Sequence, residues 1–130
     1  MFGFWRKRTY EDPKLGRFEH AGRMWHPSGL SSGLGVSLEG GVERPEQKAI
    51  EVARELMQSP GQWIGAAKDY VCANPHALKF MDGSGELICD GFTVYQSGQF
   101  AVEFSLTDWP DAMITVPFKD GAPCEVQLGD

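Results

Sequence analysis

The sequence predicts an α+β domain in which an antiparallel sheet carries a pair of helices on one face. Three observations lead there. Apolar residues alternate with period two in the first and last thirds of the chain, but follow a 3.6-residue period in the middle. Turn-forming Gly, Pro, Ser and Asn separate the periodic segments. A chain of 130 residues is also long enough to bury a core without help from a metal or a disulfide. No repeat, low-complexity tract or linker divides it, so residues 1–130 read as one domain.

In the first third, Leu15–His20 and Arg23–His26 flank Ala21-Gly22, which predicts a hairpin. Pro27 to Gly33 reads as loop. Leu34, Val36 and Leu38 then share one face of a half-buried strand that Gly40-Gly41 ends. The middle third predicts a helix over Pro45–Gln58, with Ile50, Ala53, Leu56 and Met57 on one face. A second helix is predicted from Pro60 to about Ala73, burying Trp63, Ala66, Ala67, Tyr70 and Val71. Ser59 and Gln62 are set up as a capping box at its start, and Asn74-Pro75 is read as its stop.

The last third returns to strands. Leu87–Cys89 leads into Phe92–Tyr95, Ser97-Gly98 is a turn, and Phe100, Val102 and Phe104 alternate with Ala101 and Glu103. Asp108-Trp109-Pro110-Asp111 reads as a loop. Met113, Thr115 and Pro117 alternate with Ile114, Val116 and Phe118, and Cys124–Leu128 makes a last short strand.

Charge restricts the partners. Formal net charge is −6, and setting aside Arg6, Lys7 and Arg8 leaves nine basic residues against eighteen acidic ones. Such a body repels phosphate backbones and attracts basic surfaces, which disfavours nucleic acid. The opening Met1–Arg8 places its apolar residues before its basic ones, the reverse of a secretory signal. No run approaches the ~18 apolar residues of a membrane span. A cytoplasmic protein with no membrane partner is expected.

Cys72, Cys89 and Cys124 are odd in number and widely spaced, which predicts three reduced, partly buried thiols and neither a disulfide framework nor a metal knuckle. His20 and His26 are six residues apart with no third ligand nearby, and His76 follows the second helix, so no metal site and no cofactor are expected. No Cys lies in a nucleophile turn, and Gly29 to Gly41 lacks the spacing and the lysine of a phosphate loop. No coherent catalytic set emerges, and the chain is read as a non-enzyme. The alternative is a small hydrolase pairing His20 or His26 with a carboxylate. A third reading makes Phe2–Arg6 an attachment strand in a larger assembly. The partner-binding residues expected from sequence are Asp108, Trp109 and Asp111, since an aromatic between two acids on a loop can anchor and steer a basic partner. The competing reading folds Trp109 back onto the sheet.

Asp12-Pro13-x-Leu15-Gly16-x-Phe18 followed by Trp25, the strand at Leu34–Glu39, the helical pair and Ile114–Gly121 resemble a group of small bacterial families of unknown function. Several members of those families sit beside polymorphic toxins as immunity proteins. The resemblance implies a binder of one protein partner, a toxin with a basic surface. It carries no catalytic residues, and its specificity lies in variable surface side chains.

Overall fold

The computed structural model describes residues 8–28 and 34–130. The expectations placed on Phe2–Arg6, on Arg6 and Lys7, and on Gly29 to Gly33 lie outside those residues. The described chain is α+β. Strands β1 (Thr9–Asp12), β2 (Gly16–Ala21), β3 (Met24–Pro27) and β4 (Gly35–Glu39) come first. Helices α1 (Gln47–Leu56), α2 (Pro60–Cys72) and α3 (Pro75–Met81) follow. Strands β5 (Leu87–Val94), β6 (Phe100–Leu106), β7 (Trp109–Lys119), β8 (Ala122–Pro123) and β9 (Gln127–Gly129) complete the chain. They form one sheet in the order β1-β2-β3-β4-β5-β6-β7-β8, with β9 also paired to β7.

All pairings are antiparallel except one. β4 and β5 run parallel, Val36 opposite Phe92 and Leu38 opposite Val94. The sheet is thus mostly antiparallel, as expected from sequence, with one parallel pairing that the sequence reading did not contain. The physical reason is the connection: parallel neighbours need a long crossover, and all three helices are placed between these two strands. Two antiparallel meanders are thereby joined at a parallel seam.

Alternation assigns the faces. Val36, Leu38, Phe92, Val94, Val102, Phe104, Ile114, Val116 and Phe118 are buried on the side that meets Ala49, Ile50, Ala53, Leu56, Ala67 and Val71 of the helices. The Trp63 ring of α2 meets Phe100 and Phe118 edge-on at 5.5 and 5.9 Å, fixing that helix over β6 and β7. Apolar side chains at 3.6-residue spacing on helices and at period two on strands thus share one core.

The helical pair sits where expected, with trimmed ends. Pro45 bridges to Gly40, so α1 begins after Glu46. The capping box at Ser59 does not form: its side chain makes no cap bond, and its carbonyl accepts from the Gln62 N–H instead. Asn74-Pro75 ends α2 and also starts α3, which the sequence reading did not contain. The Asn74 side chain accepts from the Ala77 N–H at 3.1 Å, with Pro75 in the first turn. The Cys124–Leu128 strand is replaced by β8 and β9, with Cys124 between them.

Candidate functional site

Period-two alternation sends every second residue of β4–β7 to the face without helices. Across its centre runs a row set by register: Gly35 opposite Gly91, Gly91 opposite Glu103, Glu103 opposite Thr115, and Thr115 opposite Gln127. Gly91 has φ +145, and a Cβ there would overlap the carbonyl oxygen of Gly35, so the parallel seam admits only glycine at this point. Two glycines side by side leave the seam without side chains at the position next to Glu103.

A bulge between Cys89 and Gly91 brings Asp90 to the same place. Asp90, Glu103, Phe104, Met113 and Thr115 line a shallow pocket of about 220 Å³. The Ser105 hydroxyl donates to Asp90 Oδ1 at 3.0 Å. Burial pushes the Glu103 carboxyl above its ordinary pKa, and the nearby Asp90 adds to this, while the Thr93 hydroxyl and His26 oppose it. Tyr95, beyond the end of β5, is raised by burial and then by Glu103 and Glu39, which places the phenol near both acids. Exposed apolar side chains flank the acids: Ile88 is 44% and Met113 58% exposed.

Over β4–β7 this face carries Glu39, Asp90 and Glu103 and, by the same alternation on β7, Asp111 and Lys119. Among the described residues, no lysine or arginine forms an ion pair with Asp90 or Glu103. One buried acid elsewhere does have a cation. Asp12, buried at the end of β1, accepts from Arg54 Nε at 3.0 Å and also from Arg54 Nη2.

The residues expected to bind a partner are not one exposed loop. The loop predicted over Asp108–Asp111 is a tight turn at Thr107-Asp108, after which Trp109, Pro110 and Asp111 belong to β7. Pro110 there lies in the irregular stretch where the β6–β7 register shifts, which is where a strand tolerates it. Trp109 is half-buried, with its ring 4.8 Å from that of Phe80 on α3. Trp109 is thus neither a loop anchor nor folded back onto the sheet: it is part of β7, and its ring meets α3. Asp108 and Asp111 are exposed.

His20 and His26 do not converge. His20 lies opposite Trp25 on the core side, its ring 4.9 Å from the indole, while His26 lies opposite Glu19 on the other side. Among the described residues no three His, Cys, Asp or Glu are grouped to hold a metal ion. His26 Nδ1 instead meets the Ser37 hydroxyl at 3.0 Å. The cysteines are free, but Cys72 and Cys124 are exposed where partial burial was expected. Cys89 is half-buried, and burial pushes its thiol up.

Comparisons with known protein families, with curated proteins and with solved structures each returned no match. No helix among the described residues is long and apolar enough to cross a membrane.

Sequence reasoning missed Glu103 because a polar residue between Val102 and Phe104 is what any half-exposed strand shows. The signal available was the pair of glycines, Gly35 and Gly91, each on a strand where glycine is otherwise unfavourable.

Proposed function

We propose that this protein is a binding domain that acts by occupying the surface of one protein partner, as an immunity protein occupies its cognate toxin. The observation that carries the reading is the division of the sheet into a packed face and a face left without helices. A sheet held rigid from one side is a preorganised platform, and preorganisation lowers the entropic cost of association. The excess of acid in the body supports a basic partner and fast, steered encounter. Co-expression with the product of the adjacent gene tests it. A stable one-to-one complex is expected, with association slowing as salt rises. Absence of any complex at micromolar concentrations would count against it.

The hydrolase alternative, a histidine paired with a carboxylate, keeps one favourable observation, His26 placed opposite Glu19 on the neighbouring strand. Facing polar side chains on neighbouring strands form such pairs for purely structural reasons. A hydrolytic turnover abolished by His26→Ala would establish the alternative and displace the binding reading.

A further inference from the structure

We propose that the docking surface is the helix-free face of β5–β7, centred on Asp90 and Glu103. Its occupant is a protein that inserts a lysine or arginine side chain from a basic surface. The assignment rests on the binding reading above and moves the centre of the contact from Asp108 and Trp109 to Asp90 and Glu103, with Asp111, two residues before Met113 on the same face, at its edge.

Three observations converge on this occupant. The first is charge. Glu103 is held half-buried beside Asp90, and no cation among the described residues pairs with either. Two carboxylates held together gain from a cation that arrives from outside.

The second is the shape of the apolar surface. Met113 is exposed on the strand next to Glu103, and Ile88 lies two residues before Asp90 on β5. Apolar side chains around an acidic centre match a side chain with a methylene stem and a charged head. Lysine and arginine alone have that form. The pocket of about 220 Å³ is of side-chain size and too small for a cofactor.

The third is the rest of the molecule. A protein with formal charge −6 repels a nucleic acid or an anionic membrane as a whole, so a basic protein is the macromolecule its field attracts. Asp108 and Asp111 share that field, but the aromatic between them is engaged with Phe80 and is not free to anchor a partner.

The experiment is an amide NMR titration of the ¹⁵N-labelled protein with a blocked decapeptide carrying four arginines. A peptide of equal length carrying four glutamates serves as the control. Saturable shifts centred on Asp90, Glu103, Met113 and Thr115 are expected with the basic peptide only. Glu103→Gln and Met113→Ser should each weaken binding by about tenfold, whereas Asp69→Asn on the exposed side of α2 should change it by less than about twofold.

Both substituted side chains are partly or largely exposed, so the variants are expected to fold, and circular dichroism would show it. Asp90→Asn is a further variant should Met113→Ser perturb the sheet. Shifts scattered over all carboxylates without saturation, shifts centred on Asp108 and Trp109, or affinities unchanged by Glu103→Gln and Asp90→Asn would each overturn the assignment. If the adjacent-gene product binds equally well to those variants, the surface is wrong and the binding function stands. If that product does not bind while the basic peptide saturates this face, the surface stands and the proposed partner is wrong.

Discussion

The two meanders that meet at the β4–β5 seam are held to the helices by different means. In β5–β7 the interior is continuous hydrocarbon: Phe92, Val94, Val102, Phe104, Ile114, Val116 and Phe118 are all buried. In β1–β3 two large buried rings, Phe18 and Trp25, are accompanied by polar contacts. The Trp25 indole N–H donates to the Gly41 carbonyl at 3.0 Å, Arg44 lies 5.6 Å from the centre of the Tyr10 ring, and Asp12 binds Arg54 of α1. Apolar packing is non-directional and insensitive to pH, whereas buried hydrogen bonds and ion pairs depend on geometry and on protonation. One half therefore supplies bulk stability, and the other fixes how the hairpin and helix meet.

The sharpest test removes hydrocarbon from the second meander. Phe104→Ala should cost about 3–5 kcal/mol, since it opens a cavity in a fully buried layer. Urea denaturation would read it as a lower midpoint with an unchanged slope. A loss under about 1 kcal/mol would mean that the two halves do not differ in this way.

In the first meander the corresponding change is Asp12→Asn, with an expected loss of about 2 kcal/mol at pH 7. Asp12 accepts from Arg54 and from the Lys14 and Leu15 N–H groups at 3.0 and 2.9 Å, and the amide would weaken all of these bonds. The Arg54 hydrogen bond, foremost, holds the Asp12 carboxyl below its ordinary pKa. A lowered folded pKa gives stability that is present above the unfolded value, about 3.9, and is lost as pH falls through the folded one. The gap between wild type and Asp12→Asn should therefore close in acid, which stability curves from pH 2 to 7 would show.

These contrasts also explain what was legible beforehand. Strand and helix periods, the hairpin between β2 and β3 (its turn one residue later than expected, at Gly22-Arg23) and the Ser97-Gly98 turn depend on local sequence and could be read. The parallel seam could not, because it depends on how a crossover packs. Nor could the pairing of Asp12 with Arg54, which are 42 residues apart. Asn74-Pro75 stops one helix and caps the next, and only the first role was recognised because α3 is just seven residues long. The candidate site was the least legible part. Trp109 flanked by two acids looks conspicuous in sequence, yet its ring packs at a tilt against Phe80, whereas Glu103 is inconspicuous and gains its setting from its cross-strand neighbours Gly91 and Thr115 and from Asp90.

Trp109 lies between the two regimes. Its half-buried ring joins the start of β7 to α3, so Trp109→Ala should cost about 1–2 kcal/mol and loosen α3 more than α1. Hydrogen exchange resolved by residue would show faster exchange at Leu78–Met81 and little change at Ala53–Leu56. Equal loosening of both helices would mean that Trp109 supports the core as a whole.

The smallest expected effect comes from Glu103 and has the opposite sign to that of Asp12. Burial raises its folded pKa, and Asp90 adds to the shift, so the folded state holds this proton more tightly than the unfolded chain does. Stability should then fall as pH rises from the unfolded value, about 4.3, through the folded one, and level off above it. Glu103→Gln removes a charge that the fold holds unfavourably. It should match wild type in acid and exceed it by about 0.5 kcal/mol near neutrality, a small gain because the carboxylate is half exposed and screened. The same substitution that weakens binding to the arginine peptide should thus stabilise the free protein. A residue retained only for folding would not show both effects, because its loss would lower stability as well as binding. Melting temperatures of the two proteins at pH 3.5 and pH 7.5 would separate the cases.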